Sequence, residues 1–355
     1  MLFFLLTFHF LSTLNPKALF CLLSQLIGII KEISEIHSTE RGISVIHTIP
    51  LDSIYLHSSF NRDYKPILAV DSGDTIQLKT IDIEWGYSAA ETEARTSFTS
   101  RENEEKLAHP IFGPIAVAGA KPGMVLEVRT NKLIPGWYGR NWAGGIPAWQ
   151  NDQLGITDSE RLQVDWKLDA ARMIGSCKLA GQEFTVGLSP FLGLMGVAPK
   201  EAGTFPTKPP GYYGGNIDCK ELVPGSSLFL PISVDGALFS LGDGHALQGD
   251  GESSGTAIEC PMDLADITLI LHKDMTLSMP CANTPAGWIT FGFNEDLNEA
   301  AAVALDEMVS FMQQLYNISR TEATALSSVA VDLHVTQVVN DVKGVHAILP
   351  HGVLR

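Results

Sequence analysis

Short runs that alternate apolar and polar residues dominate the chain from about residue 42 to about residue 290. The runs at residues 75–78 and 124–128 each follow a glycine-containing turn signal, and a Val-Pro-Gly turn precedes the run SSLFLPISV. A period of two is typical of half-buried β-strands, and the intervening Pro, Gly and Asp residues favour tight turns. We therefore expect a mainly β architecture, with jelly-roll or β-sandwich and barrel-like parts.

The pattern changes after residue 294. Apolar residues then recur at helical spacing, and Ser319 with Glu322 three positions later is typical of a capping box that opens a second helix. The apolar face predicted for the first helix consists of Leu297, Ala301, Ala304, Met308, Phe311 and Leu315. The segment VDLHVTQVVN returns to the strand pattern. We therefore divide the main region, residues 41–355, into a β-rich part at 41–290 and an α+β part at 291–355.

The first 40 residues are strongly apolar and form a separate extension. The first basic side chain is Lys17, so the basic start of a secretory signal is missing, and Asn15 and Pro16 interrupt the apolar stretch. Three interpretations stay open: a poor signal or anchor, an additional helix, or translated sequence upstream of the true start. We favour a dispensable extension, and we expect membrane association only if the extension belongs to the mature protein.

Composition narrows the classes of function. The chain is 45% hydrophobic and 18% charged, which is typical of a globular protein. Its 24 basic and 40 acidic residues give a net charge of −16, and this field repels a phosphate backbone, so nucleic-acid binding is not expected. The five cysteines are widely spaced and form no Cys-x-x-Cys pair, which favours a reducing compartment and predicts a cytoplasmic location.

The stretch SLGDGHALQGDGE, residues 240–252, carries the strongest candidate chemistry. Its four glycines weaken a helix and let the backbone turn or approach a ligand closely. In an extended chain, Asp243 and His245 project to one face, as do Asp250 and Glu252. Carboxylates and an imidazole together suit zinc or a similar divalent ion. The alternative is a hairpin whose Asp residues serve the turn, but two Asp, one His and one Glu beside an apolar strand favour a site.

Other polar residues with candidate chemistry stand near the ends of apolar runs. They are His57, Asp82, His109, Asp218 and Glu259. Taken singly, each is more often structural, for example as a turn cap or a buried imidazole. A site requires these residues to converge in the fold, which a sequence does not show.

Three segments together resemble the acetamidase/formamidase family, a group of amidohydrolases distinct from the nitrilase type. They are HPIFGPIAVAGAKPGMVLEV, GGNIDCKELVPGSSLFLPI and ALFSLGDGHALQGDGESSGTAIEC, and the resemblance runs from about His57 to Pro350. It implies a mostly β architecture with an α+β C-terminal portion. It also implies that residues 41–355 form a catalytic region that hydrolyses formamide or another short-chain amide to the carboxylate and ammonia.

The resemblance also implies a set of site residues. Asp82 matches an acidic position of the family, Asp218 lies in a Gly-Gly-Asn-x-Asp motif, and residues 242–252 match a Gly-Asp-Gly-His motif followed by Gly-Asp-Gly-Glu, with Glu259 just after. His57 matches an early histidine, but Phe60 stands where relatives usually carry Trp. The segments IDIEWGYSA and GWYGRNWAGGIPAW also differ from the sequences that are usual in the family. These departures put the size of the substrate in doubt more than the reaction.

We assign roles within this set as hypotheses. The metal ligands predicted are Asp82, Asp218, His245 and Glu259, and the ion expected is zinc, with calcium as the second choice. The catalytic residues predicted are Glu252, Asp243, Asp250 and Asn216, with Glu252 or Asp243 as the general base that acts on a metal-activated water. The substrate-binding residues predicted are Gly214, Gly215, His57 and His109, where the two glycines and Asn216 supply donors to the oxyanion.

Two alternatives remain at this point. Cys219 or Cys260 could act as the nucleophile of a thioester route, or the chain could be a metal-binding β protein without turnover. The small amide substrate is the expected partner, together with a second copy of the chain in a homodimer. The sequence does not choose between formamide and acetamide.

Overall fold

Strands make up most of the regular structure in residues 44–101 and 109–355, the part of the chain that this computed structural model describes. The first strands are β1 Ile46–Ile49, β2 Leu56–His57, β3 Ser59–Phe60, β4 Leu68–Val70, β5 Thr75–Leu78, β6 Gly86–Tyr87, β7 Thr96–Ser97, β8 Ile111–Val117, β9 Val125–Pro135, β10 Tyr138–Ala143, β11 Leu162–Asp169 and β12 Ile174–Leu179. The remaining strands are β13 Gln182–Gly187, β14 Phe191–Gly196, β15 Phe205–Pro206, β16 Gly214–Asn216, β17 Ser227–Pro231, β18 Phe239–His245, β19 Met262–His272, β20 Cys281–Asn283, β21 Gly287–Asn294, β22 Asp332–Asn340 and β23 Val342–Pro350. The helices are α1 Trp149–Leu154, α2 Leu297–Tyr316 and α3 Arg320–Ala330.

Two large sheets organise the fold. A nine-stranded sheet has the order β1-β5-β19-β9-β17-β20-β21-β23-β22. A six-stranded sheet has the order β16-β14-β18-β8-β2, with β4 pairing with β8, and strands β10 to β13 form a four-stranded antiparallel meander. The mainly β prediction is therefore confirmed. None of the sheets in the described part of the chain closes into a barrel, because each ends in two edge strands.

The alternation seen in the sequence corresponds to one buried face per strand. In β19, Ile267 and Leu269 are fully buried in the main core, while the intervening Asp266 and Thr268 are partly exposed. This is the period of two that a strand with one solvated face requires. The long pairing of β19 with β9 thus places a continuous apolar layer behind the sheet.

The C-terminal helices confirm the predicted change of pattern. Helix α3 begins with a capping box in which the Ser319 side chain accepts from the Glu322 amide and the Glu322 carboxylate accepts from the Ser319 amide. In α2 the predicted apolar face is partly wrong, because Leu315 is 48% exposed. The buried stripe of α2 consists of Ala300, Ala304, Met308, Val309 and Met312, which pack in a second core with residues of β23.

The last two strands, β22 and β23, extend the same nine-stranded sheet that contains β1. The α+β part therefore shares its sheet with the β-rich part, and residues from Val45 to Arg355 form one compact unit. The apolar extension predicted at residues 1–40 lies outside the described residues. Among the helices described here, none is long and apolar enough to cross a bilayer.

Candidate active site

A cavity of about 280 Å³ lies beside β16 and β18 and has an acidic floor. Its lining includes Asn216 from β16, Asp243 from β18, and two acids from the chain that follows β18, Glu252 and Glu259. Its other walls are mixed, with apolar residues such as Ile83, Trp142 and Ile146 and polar residues such as Gln150, Asn151 and Lys208. The cavity thus brings together residues that lie far apart in the sequence.

Strand β18 presents Asp243, which lines the cavity, and His245, which lies against Asp243 and Glu259. Asp243 and His245 are 2% and 1% exposed, and both face the same cluster, as their spacing predicts. The two glycines of this strand permit close approach, because a Cβ atom at Gly242 would lie 2.4 Å from the carbonyl oxygen of Pro110 and one at Gly244 would lie 2.5 Å from that of Cys260. The first half of the glycine-rich motif, up to His245, is therefore a strand packed closely between its neighbours, and the second half, which contains Asp250 and Glu252, is a loop with a turn.

His245 is the centre of the cluster. Its Nε2 atom lies 3.1 Å from Oε2 of Glu259 and 3.4 Å from Oδ2 of Asp243. Its Nδ1 atom lies 4.0 Å from Oδ1 of Asp218. Burial disfavours the charged imidazole, but the charges of Glu259 and Asp243 outweigh this effect and raise the pKa of His245 well above its ordinary value.

Asp218 enters the cluster from the loop after β16, with a left-handed backbone at φ 53°. Its amide donates to the carbonyl oxygen of Gly193 at 3.1 Å, and its Oδ2 atom accepts a hydrogen bond from Nδ2 of Asn340. Burial raises the pKa of Asp218 to about 7, although His245 acts in the opposite direction. For Asp243, burial is outweighed by His245, which lowers the pKa to about 2. The same histidine therefore accompanies opposite pKa shifts in the two aspartates, upward for Asp218 and downward for Asp243.

Gly193 on β14 forms the base on which the cluster rests, and sequence reasoning missed it. A Cβ atom at this position would lie 2.4 Å from Oδ1 of Asp218, 2.7 Å from Oδ2 of Asp243 and 2.8 Å from Cε1 of His245. Real Cβ atoms essentially never come so close to another heavy atom. The signal in the sequence is weak, because Gly193 is one of two glycines within the apolar run FLGLMG and has no polar neighbour along the chain.

Several buried polar atoms at this site have no hydrogen-bond partner among the described residues. They are Nδ1 of His109, Oδ1 of Asn216, Oδ1 of Asp218, Oδ1 of Asp243, Nδ1 of His245, Oε2 of Glu252 and Oε2 of Glu259. Burial, followed by the charge of Asp218, raises the pKa of Glu252 well above its ordinary value. Unpaired buried polar atoms are costly, so a set of them aimed at one region indicates a missing partner.

A divalent cation fits this set of donors. Two overlapping groups, Asp218 with Asp243 and His245, and His245 with Glu252 and Glu259, each offer ligand atoms within 4.8 Å of one another. Four carboxylates against one fully buried imidazole leave an excess of negative charge that a cation would neutralise. Oxygen and imidazole nitrogen ligands together are typical of zinc sites.

Asp82 does not join this cluster in the structure. Its carboxylate accepts from Arg95 Nε at 2.8 Å and Nη2 at 2.6 Å, from Tyr138 Oη at 2.7 Å, and from the amides of Glu84 and Gly86. These five bonds occupy both oxygens, so the carboxylate serves the turn between residues 82 and 86. The predicted ligand role for Asp82 does not fit this arrangement.

Asp250 and His57 also lie outside the cluster. The Asp250 carboxylate accepts from Lys220 Nζ at 2.8 Å and lies 3.0 Å from Nδ1 of His334. His57 is buried, with Nδ1 donating to the carbonyl oxygen of Ser59 at 2.7 Å and Nε2 accepting from the Ser240 hydroxyl at 3.1 Å. Burial lowers the pKa of His57 to about 3. Both ring nitrogens are therefore used within the fold, which does not fit a substrate-binding role.

The predicted donors to an oxyanion divide into two groups. Asn216 and His109 line the cavity, and Nδ1 of His109 lies 3.8 Å from Oδ2 of Asp243. The amide of Gly214 donates to the carbonyl oxygen of Gly211 at 3.0 Å, and neither Gly214 nor Gly215 lines the cavity. The structure therefore supports placing Asn216 and His109 at the site, but not the two glycines.

Asn340 and Gln248 are further site residues that sequence reasoning missed. Asn340, at the end of β22, lines the cavity and donates to Oδ2 of Asp218. Gln248 Nε2 donates to the Asp218 carbonyl oxygen at 2.7 Å. Both amides stand in ordinary polar contexts, and Asn340 lies 122 residues from its partner, so only the fold reveals them.

Comparison with known proteins agrees with this picture. An acetamidase from Bacillus halodurans of known crystal structure is 27% identical and superposes with a TM-score of 0.72 over 85% of this chain and 97% of that one. A formamidase-type protein from Schizosaccharomyces pombe is 25% identical over 305 residues, which are 68% of this chain and 73% of that protein. The formamidase of Methylophilus methylotrophus is 24% identical over 270 residues, 62% of this chain and 64% of that enzyme.

Fold, site and relatives together define a hydrolase that acts on amide C–N bonds. The sequence profile of the acetamidase/formamidase family matches residues 153–354, more than half of the chain. The chain belongs to that family.

Proposed function

We propose that this chain hydrolyses formamide or another short-chain amide to the carboxylate and ammonia, with water activated by a divalent cation. Zinc is the first choice of ion and calcium the second. The observation that carries the proposal is the buried cluster of four carboxylates and one imidazole, with unpartnered polar atoms, three members of which (Asp243, Glu252 and Glu259) line a cavity of about 280 Å³. So small a cavity suits a small amide.

The ion would be held by Asp218, Asp243 and His245. Oδ1 of Asp218 and Nδ1 of His245 are both buried and unpartnered and lie 4.0 Å apart, which supports their use as ligands. Glu259 lies against the opposite nitrogen of His245 and would fix the orientation of the ring, as carboxylates do beside metal-binding histidines. When bound, a divalent ion polarises an amide carbonyl and lowers the pKa of water to about 7.

Glu252 is the group that we assign as general base. It is 6% exposed, lines the cavity, and has one carboxylate oxygen without a partner, so it can face a water molecule there. Glu252 would take one proton as the water oxygen bonds to the carbonyl carbon, and would return it to the nitrogen as the C–N bond breaks. Such a group contributes about 10²- to 10⁴-fold to the rate. Asn216 and His109 would donate to the developing oxyanion.

The test is ammonia release from formamide and from acetamide by the full chain, before and after chelation and after addition of zinc or calcium. We expect activity to disappear with the metal and to return with the preferred ion, and Glu252→Gln to lower kcat by at least 100-fold without releasing metal. Full activity in protein shown by metal analysis to be ion-free would overturn the proposal. Metal binding without ammonia release from any short-chain amide would instead favour the non-catalytic alternative.

Homodimer formation and a cytoplasmic location remain predictions from the sequence. Neither is required by the chemistry above, because every residue assigned a role lies within one chain.

A further inference from the structure

A second group of metal-capable side chains lies outside the cluster just described. It consists of Asp250, in the loop after β18, with His334 on β22 and His346 on β23. One ligand atom from each lies within 4.8 Å of the other two. The two imidazoles are stacked, with ring centroids 5.1 Å apart and planes at 6°, and Oδ2 of Asp250 lies 3.0 Å from Nδ1 of His334. None of the three has a role in the amide hydrolysis proposed above, although the sequence predicted Asp250 to be catalytic.

An ordinary ion pair accounts for only part of this group. The Asp250 carboxylate is satisfied by Lys220 and His334 at the surface. His346 is fully buried, and its Nε2 atom has no hydrogen-bond partner among the described residues. Its Nδ1 atom is 2.7 Å from the Thr336 hydroxyl, which fixes the ring. If Nδ1 donates that bond, Nε2 carries a free lone pair, which is the arrangement found in metal-binding histidines.

We propose that Asp250, His334 and His346 bind a divalent transition-metal cation, zinc in the first instance, at a site separate from the hydrolytic cluster. Two imidazoles and one carboxylate select zinc, cobalt, nickel or copper over calcium and magnesium, which prefer oxygen ligands alone. The fourth position would be taken by water or another exchangeable ligand, since His334 and Asp250 are partly exposed.

The site requires a rearrangement in which the more exposed ring, that of His334, turns out of its stacked position, because the lone pairs of two parallel rings do not meet at one point. Bonds of about 2.0–2.1 Å in a tetrahedral site place ligand atoms about 3.4 Å apart, so ligand atoms that now lie within 4.8 Å of one another must approach by at most about 1.4 Å. The side chains of His334 and Asp250 are 33% and 27% exposed and have room to rotate, while His346 stays fixed. Lys220, whose ammonium group lies 2.8 Å from Oδ2 of Asp250, would compete with the cation for that carboxylate.

Such an ion would reinforce an existing contact between the loop after β18 and strand β22. The amide of Gly251 donates to the carbonyl oxygen of Thr336 at 3.1 Å, and the amide of Val338 donates to the carbonyl oxygen of Gly251 at 3.2 Å. The loop after β18 is thus already paired with β22, and the same loop continues to Glu252 in the cavity. A cation bound to Asp250 and the two histidines would cross-link this loop to the last two strands.

The test is zinc titration of the full chain, with metal content measured after dialysis. We expect His334→Gln to remove one equivalent of zinc per chain, or to weaken that class of site at least tenfold, while ammonia release stays within about twofold of wild type. Lys220→Gln should tighten the same class several-fold, because it removes the competing cation. A merely structural ion pair predicts no gain in zinc affinity from that substitution.

His47→Gln is the matched control. His47 pairs with Asp74 at 2.7 Å, but no group of three metal-capable side chains in the described residues includes it. Its zinc stoichiometry should equal that of the wild type. Equal stoichiometry and affinity in wild type and His334→Gln would overturn the proposal, as would zinc affinity unchanged or lowered in Lys220→Gln. Loss of zinc from the hydrolytic cluster would leave this comparison intact, so the two sites fail separately.

Discussion

A Cβ atom at Gly193 would lie 2.4 Å from Oδ1 of Asp218, so the backbone of β14 and the Asp218 carboxylate occupy adjoining space without room for one methyl group. The same glycine lies against Asp243 and His245. Strand β14 is therefore a wall of the cluster, and the absence of a side chain there is what lets three polar groups meet.

Gly193→Ala should lower kcat/KM at least 100-fold and weaken metal binding, because displacement of catalytic groups by about an ångström has that effect. Gly187→Ala is the control, since a Cβ atom there meets nothing within 4 Å. Circular dichroism would confirm that both variants fold. Wild-type kinetics in folded Gly193→Ala would show that the three side chains do not act together.

Asp82→Asn should destabilise the protein without abolishing catalysis. The change removes the charge from a carboxylate that accepts five hydrogen bonds, two of them from Arg95. Charge-assisted bonds of this kind each contribute about 1.5–3 kcal/mol, so the free energy of unfolding should fall by an amount in that range. Urea unfolding and ammonia release measured on the same sample would test this.

Asp218→Asn is the matched comparison for that experiment. It should remove activity and metal with a smaller effect on unfolding, because one of the two Asp218 oxygens has no partner to lose. If Asp82→Asn lost metal and kept full stability, Asp82 would be a ligand as the sequence predicts.

Cys219→Ser and Cys260→Ser should each retain more than half of the wild-type kcat. Both thiols are buried, and burial raises the pKa of each well above its ordinary value, which disfavours the nucleophilic thiolate. The same reasoning makes alkylation of the native protein slow at neutral pH. Loss of turnover in either serine variant with wild-type metal content would revive the thioester route.

Glu127 should make the stability of the fold depend on acid pH. Burial opposes its charge, but hydrogen bonds from His272, Ser227 and Arg129 outweigh burial and lower the pKa to about 2. Because the folded-state pKa is below the unfolded value of about 4.3, the contribution is fully present above that value and is lost as pH falls towards 2. The difference in urea midpoint between wild type and Glu127→Gln should therefore shrink between pH 6 and pH 3. A constant difference would mean that Glu127 is not charged in the fold.

Much of the secondary structure followed from the sequence because it depends on local patterns. The alternation at residues 75–78, which form β5, and the capping box at Ser319 and Glu322 are set by neighbouring residues, and both formed as predicted. The exposed Leu315 near the end of α2 shows the limit of such patterns. Whether the last turn of an amphipathic helix is buried depends on whether other elements of the fold pack against it, which the helix's own sequence does not show.

The spacing of Asp243 and His245 predicted two of the five residues of the hydrolytic cluster, because residues two apart on one strand project to the same face. Asp250 and Glu252 obey the same spacing, yet they separate into two different sites. They lie in a turn around Gly251, with φ 91°, where the strand rule does not apply.

The sequence by itself determined the β architecture, the C-terminal helices, the family and the acids and histidine available for chemistry, since each of these depends on local periodicity or on contiguous motifs. Only the tertiary structure decided which of them converge. It joined Asp218, Asp243, His245, Glu252 and Glu259 over Gly193, committed Asp82 to Arg95, and placed Asp250 with two histidines more than 80 residues away. Convergence depends on how strands that are distant in the sequence pair with one another and on which side chains pack into the same space. Local sequence patterns contain no information on either.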